Sequence, residues 1–71
     1  MPCEAMTSAR RRMQRWFGRN VDIDQSATGV LSMRSFRATP VQEAGSVIAL
    51  QVSWDHEDDA LAQRALSLIS Q

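Results

Sequence analysis

Residues 46–69 read SVIALQVSWDHEDDALAQRALSLI, and this stretch decides the fold. Its first half alternates. Ile48, Leu50, Val52 and Trp54 are large and apolar, while Val47, Ala49, Gln51 and Ser53 become smaller and more polar along the run. A two-residue period with one apolar face marks a half-buried strand. The β-branched and aromatic content favours a strand over a short helix. At Trp54 the pattern changes. The run Asp55-His56-Glu57-Asp58-Asp59 brings four acids, which interact favourably with the positive end of a helix dipole. Leu61, Ala65, Leu68 and Ile69 then fall at helical spacing, with Ala62 and Leu66 widening the stripe. Ser53 and Asp55 are the residues suited to the N-cap. The stretch therefore predicts a strand running straight into an amphipathic helix.

Toward the N-terminus, a second helix is expected from Thr7 or Ser8 to Phe17, with Gly18 as its C-terminal cap. Met6, Ala9, Met13, Trp16 and Phe17 share one face; Arg10, Arg11, Arg12, Arg15 and Arg19 occupy the rest. Asn20 to Gly29 is turn chemistry, within which Val21–Asp24 alternates and predicts a short third strand. Thr28 to Ala38 reads as one strand, with Leu31 and Met33 on one side and Val30 and Phe36 on the other. Thr39-Pro40 interrupts it, and Gly45-Ser46 introduces the organising strand.

These elements predict an α+β fold: a small two-layer α-β-β-α sandwich whose two- or three-stranded antiparallel sheet carries both helices on one face. Residues 1–5 are expected as a disordered terminus and residues 6–71 as one domain. The covered face is the one bearing Ile48, Leu50, Val52 and Trp54. The opposite face, with Leu31 and Met33 or Val30 and Phe36, is left open, which points to self-association as a homodimer.

Seventy-one residues barely support one core and leave little room for a substrate cleft. Net charge is zero but polarised. Residues 1–37 hold seven Arg against Glu4, Asp22 and Asp24, a balance of +4; residues 38–71 hold Arg64 against five acids, a balance of −4. All eight basic residues are Arg, a bias that a GC-rich bacterial or phage coding sequence produces. The single cysteine, Cys3, permits no internal disulfide and no multi-cysteine metal site. No apolar run reaches the length of a membrane span and no secretory leader is evident, so a soluble cytoplasmic chain is expected.

The richest candidate surface is the N-terminal helix. Arg10, Arg11, Arg12, Arg15 and Arg19 beside Trp16 and Phe17 have the composition for gripping phosphates and stacking on bases. The same composition suits an interfacial helix on an anionic membrane. The competing reading makes Met13, Trp16 and Phe17 core and leaves the Arg face solvated or paired with the acidic half. Asp22-x-Asp24-x-Ser26 opens like a calcium-binding loop, but Ala27 and Met33 stand where that loop needs Gly and a bidentate Glu. Asp55, Asp58 and Asp59 with His56 lack a matching ligand pair elsewhere, and helix-start electrostatics accounts for them without a metal. With no Lys, no Tyr, one His and one Cys, most nucleophile–base pairings are missing. Ser53 near His56 has no third group to orient it. The expectation is a non-enzymatic adaptor or regulatory module, without cofactor or metal, that binds another protein. Nucleic-acid binding and then membrane attachment by the Arg helix are the alternatives.

Overall fold

The computed structural model describes residues 4–71, in the order α1 (Glu4–Phe17), β1 (Asp24–Gln25), β2 (Leu31–Met33), β3 (Phe36–Glu43), β4 (Ser46–Ser53) and α2 (Asp59–Ile69). The strands form one antiparallel meander, β1-β2-β3-β4. Both helices lie on one face, and the sheet of this α+β sandwich has four strands rather than two or three. α1 begins at Glu4, which makes Glu4 and Ala5 helical. The remainder of the expected disordered terminus, with Cys3, lies outside the described residues. α1 ends at Phe17, and Gly18, with φ +75°, supplies the left-handed turn that a side chain would strain.

The extra strands arise where the sequence shows one. Thr28–Ala38 is not continuous: the chain reverses at Arg34-Ser35, and Met33 pairs with Phe36 across that turn. The reversal corrects the expected facing. Leu31, Met33, Phe36 and Ala38 all point to the helices and are buried with Met6, Ala9 and Met13 of α1 and Ala62, Ala65 and Leu68 of α2. The open sheet face carries Ser32, Arg37, Thr39, Val41, Ala49, Gln51 and Ser53 instead, so it is not the apolar face that the sequence suggests. The third strand falls at Asp24–Gln25, at the end of the predicted Val21–Asp24.

Thr39-Pro40 does not break β3; Pro40 pairs with Leu50. Residues along an antiparallel strand bond alternately to either side. The two-residue turn makes Phe36, and hence Ala38, bond toward β2, while Arg37, Thr39 and Val41 bond toward β4. Pro40 occupies a β2-directed position beyond Ala38, where the pairing of β2 has ended, so its missing N–H breaks no ladder bond. The β3–β4 hairpin closes on Ala44-Gly45, both with positive φ (54° and 82°), the twist-matched two-residue turn.

β4 lies at the sheet's edge, not its centre. Leu50 and Trp54 pack on the core, but Ile48 is 60% exposed and Val52 37%. Trp54 is therefore half-buried, tilted against Phe36 at 6.3 Å with its indole N–H donating to Asp59 Oδ1 at 3.1 Å. Trp54 thus lies on the covered face and against the core at the strand-to-helix junction, but it is not enclosed.

Candidate functional site

The Arg-rich helix divides into structural and free side chains. Arg12 Nε donates to the Leu68 carbonyl at 2.8 Å and Nη2 to that of Ile69 at 3.2 Å. It thus satisfies the last carbonyls of α2 and places a cation at the negative end of that helix. Arg10 Nε donates to Gln25 Oε1 at 3.0 Å, and Gln25 Nε2 donates to Thr7 Oγ1 at 3.0 Å, so this arginine ties α1 to β1. Arg11, Arg15 and Arg19 are exposed and no described residue pairs with them. Of the five predicted site residues, Arg10, Arg11 and Arg15 line one shallow depression with Gln14, and Arg12 lies with Arg15 on the side of α1 that meets α2.

A different group completes the free part. Trp16 is 54% exposed rather than core, set edge-on to Phe17 at 5.0 Å. The Arg64 guanidinium of α2 lies over its ring, 4.4 Å from the centroid, a cation–π distance. Arg12 meets residues 68 and 69 while Trp16 meets residue 64, so the helices run antiparallel. Between them an open groove of about 330 Å³ is lined by Arg12, Arg15, Trp16, Leu68 and Gln71. Arg64 was invisible as a site residue because it belongs to the acidic half of the chain; only its helical position opposite Trp16 could have signalled it.

Among the described residues the basic and acidic halves of the chain form one ion pair, and it does not involve the Arg face of α1. Arg34 Nη2 meets Asp58 Oδ1 at 2.6 Å. Ser35 Oγ and Ser35 N donate to Asp58 Oδ2 at 2.6 and 3.3 Å, and Asp55 N donates to Ser35 Oγ at 2.9 Å. Asp58 is 8% exposed. Its carboxyl is held below the usual carboxylate range, first by the Ser35 hydroxyl, against the upward push of burial, and then by the Ser35 amide and Arg34. Asp58 and Asp59 are thus engaged by protein groups, and no cluster of three metal-ligating side chains occurs among the described residues. Ser26 anchors the 26–30 turn by accepting the Val30 N–H at its hydroxyl.

The remaining surface is the outer edge of β4. Arg37, Thr39 and Val41 bond to Ser53, Gln51 and Ala49, so by alternation Leu50 and Val52 turn their N–H and C=O groups outward. Ser46–Ser53 contains no charged residue and no proline, the devices that ordinarily blunt an edge. One device is present: a bulge at Ile48, where Val41 pairs with Ala49 and Gln42 with Val47. Ala49–Ser53 remains regular.

No described helix is long and apolar enough to cross a membrane. Comparison of the chain with protein-family models, curated proteins and solved structures finds no match.

Proposed function

We propose that the chain is a small non-enzymatic binding module that accepts an extended segment of another protein along the open edge of β4. The observation that carries this reading is the composition of that edge: eight residues without charge or proline, among them exposed Ile48 and Val52. Outward backbone groups would supply main-chain hydrogen bonds, and the exposed apolar side chains would select residues of the added strand. Catalysis finds little support. His56 is exposed, and the buried carboxylate, Asp58, is already engaged by Ser35 and Arg34. The test is selection from a random dodecapeptide library displayed on phage. Peptides enriched on the wild-type chain should fail to bind an Ile48→Lys, Val52→Lys variant. No enrichment, or binding indifferent to the two lysines, refutes the reading.

One observation favours a second surface: exposed Trp16 under Arg64 shares a groove with Arg15, which pairs with no described residue. Indole and guanidinium planes together suit the bases and phosphates of a single-stranded nucleic acid. A membrane is less suited, because Met6, Ala9 and Met13, the apolar face that would insert, are already core. Fluorescence anisotropy with a labelled oligonucleotide should show binding that weakens steeply with salt and is lost in Arg15→Ala, Trp16→Ala. Equal binding to anionic vesicles would reject nucleic acid as the specific ligand.

A further inference from the structure

We infer that the strand received by β4 is β4 of a second copy, paired antiparallel about a two-fold axis at Gln51. The inference rests on β4 being a strand acceptor and names its occupant. Three observations select self-pairing. First, the regular segment Ala49–Ser53 is centred on Gln51, so this axis pairs it with itself and leaves the bulge at Ile48 outside. Second, the axis sets Leu50 opposite the partner's Val52, and Val52 opposite the partner's Leu50. Leu50 and Val52 are paired in each copy with Pro40 and Ala38 on the helix-bearing face, so the apolar side chains meet on one side of the joint. Ile48, in the bulge, and the partner's Trp54 then lie beside one another just beyond the end of the paired segment. Third, Ser46–Ser53 carries no charge, so antiparallel self-pairing opposes no like charges, which is the usual obstacle to joining a strand to its own copy.

The hydrogen bonding agrees. Leu50 and Val52 carry the outward N–H and C=O groups, and the axis brings these residues opposite one another, as the bonded pairs of an antiparallel ladder require. Gln51 faces its own copy at a non-bonded position, where Cα atoms approach most closely, about 4.5 Å. A two-fold axis between antiparallel edge strands stands perpendicular to the sheet. The product is one eight-stranded sheet with all four helices, and so both Trp16–Arg64 stacks, on the same side. An interface one strand wide belongs to the small class, below about 1,200 Å² in total, so the dimer forms and dissociates with concentration.

Sedimentation equilibrium of the full chain from low to high micromolar concentration should show mass rising from one copy toward two. Ile48→Lys, Val52→Lys should return it to one copy, with circular dichroism verifying that the variant is folded. In a Cys3→Ser background, Gln51→Cys should form a disulfide-linked dimer on mild oxidation, whereas Val47→Cys should not. A wild-type chain that stays monomeric overturns self-pairing. A dimer that survives both lysines overturns β4 as its interface, and failure of Gln51→Cys to cross-link a dimer that the lysines do break overturns the axis. Peptide selection on the same monomeric lysine variant separates the two levels. If wild type stays monomeric yet captures peptides that the variant does not, the acceptor edge stands and only its self-pairing is lost.

Discussion

The hydroxyl of Ser35 donates to Asp58 Oδ2 at 2.6 Å while accepting the Asp55 N–H at 2.9 Å, and through this one atom the β2–β3 turn is fastened to the start of α2. The two residues are 23 positions apart. Neither helix start nor turn has a conventional anchor otherwise. Asp58 makes no capping hydrogen bond to α2, and Arg34 holds φ 54° at a turn position usually given to glycine.

From this follows an acid-linked stability. The Asp58 carboxyl is lowered in the folded chain, so the unfolded chain binds the proton first as pH falls. The contribution of Asp58 is complete above the ordinary carboxylate range and is lost as pH drops through and below it. Thermal melts from pH 6 to about 2 should show a falling Tm in wild type and a shallower fall in Asp58→Asn. Ser35→Ala should lower Tm at neutral pH, and its effect should be less than additive with Asp58→Asn. Additive losses would mean that the hydrogen bond does not couple them.

Ala44 is the clearest site for stabilisation. With φ 54° beside Gly45 at 82°, it holds a left-handed conformation that costs an L-residue about 1–2 kcal/mol. Ala44→Gly should gain about 0.5–1 kcal/mol after the added entropy of the unfolded chain. Ala44→Asn should gain in the same direction, since Asn-Gly suits this turn. Chemical denaturation that shows no gain for either would contradict the turn geometry.

The two core aromatics should separate in a stability assay. Phe36 is 0% exposed, and Phe36→Ala should cost about 3–5 kcal/mol, enough to unfold much of so small a domain. Trp54 is half-buried at the strand edge, so Trp54→Ala should cost less, at or below about 3 kcal/mol. Urea denaturation followed by circular dichroism gives the order. A larger loss at Trp54 than at Phe36 would place the centre of the core wrongly.

The arginines of α1 should also divide. Arg12→Ala removes two hydrogen bonds to α2 carbonyls and should cost about 1–2 kcal/mol. Arg15→Ala, at an exposed position, should change stability by less than about 0.5 kcal/mol. If both are neutral, the Arg12 contact does not hold the helix pair together.

The strand-to-helix stretch at Ser46–Ile69 was readable because one short segment carries both periods and their junction. What lay beside that strand was not. Alternation identifies the side chains that share a face, and Leu50 and Val52 do share it with Ala38. It says nothing of how many strands flank it, so Ile48 and Val52 looked buried and are exposed. The Arg34-Ser35 reversal was hidden for a related reason: its residues have no turn signature, and Asp58, which holds it, is 24 residues from Arg34 in the chain. On α1, the exposure of Arg11 and Arg15 was legible from their helical spacing away from Met6, Ala9 and Met13. Trp16 fits both roles by spacing, and it is the packing of α2 beside α1, with Arg64 over the ring, that the sequence does not show. Arg12 was grouped with the free arginines because the carbonyls it satisfies lie on another helix.

The helix that completes the core follows the sheet in the chain. During synthesis the meander can form from neighbouring segments as they leave the ribosome, since each strand pairs with the one before it. The face of Leu31, Met33, Phe36 and Ala38 then has only α1 as a lid until α2 is made. For that interval the nascent chain presents an apolar sheet and a charge-free edge together, the combination by which partly folded chains misassociate. Neighbouring nascent chains on one messenger are where this sheet would first meet its own copy.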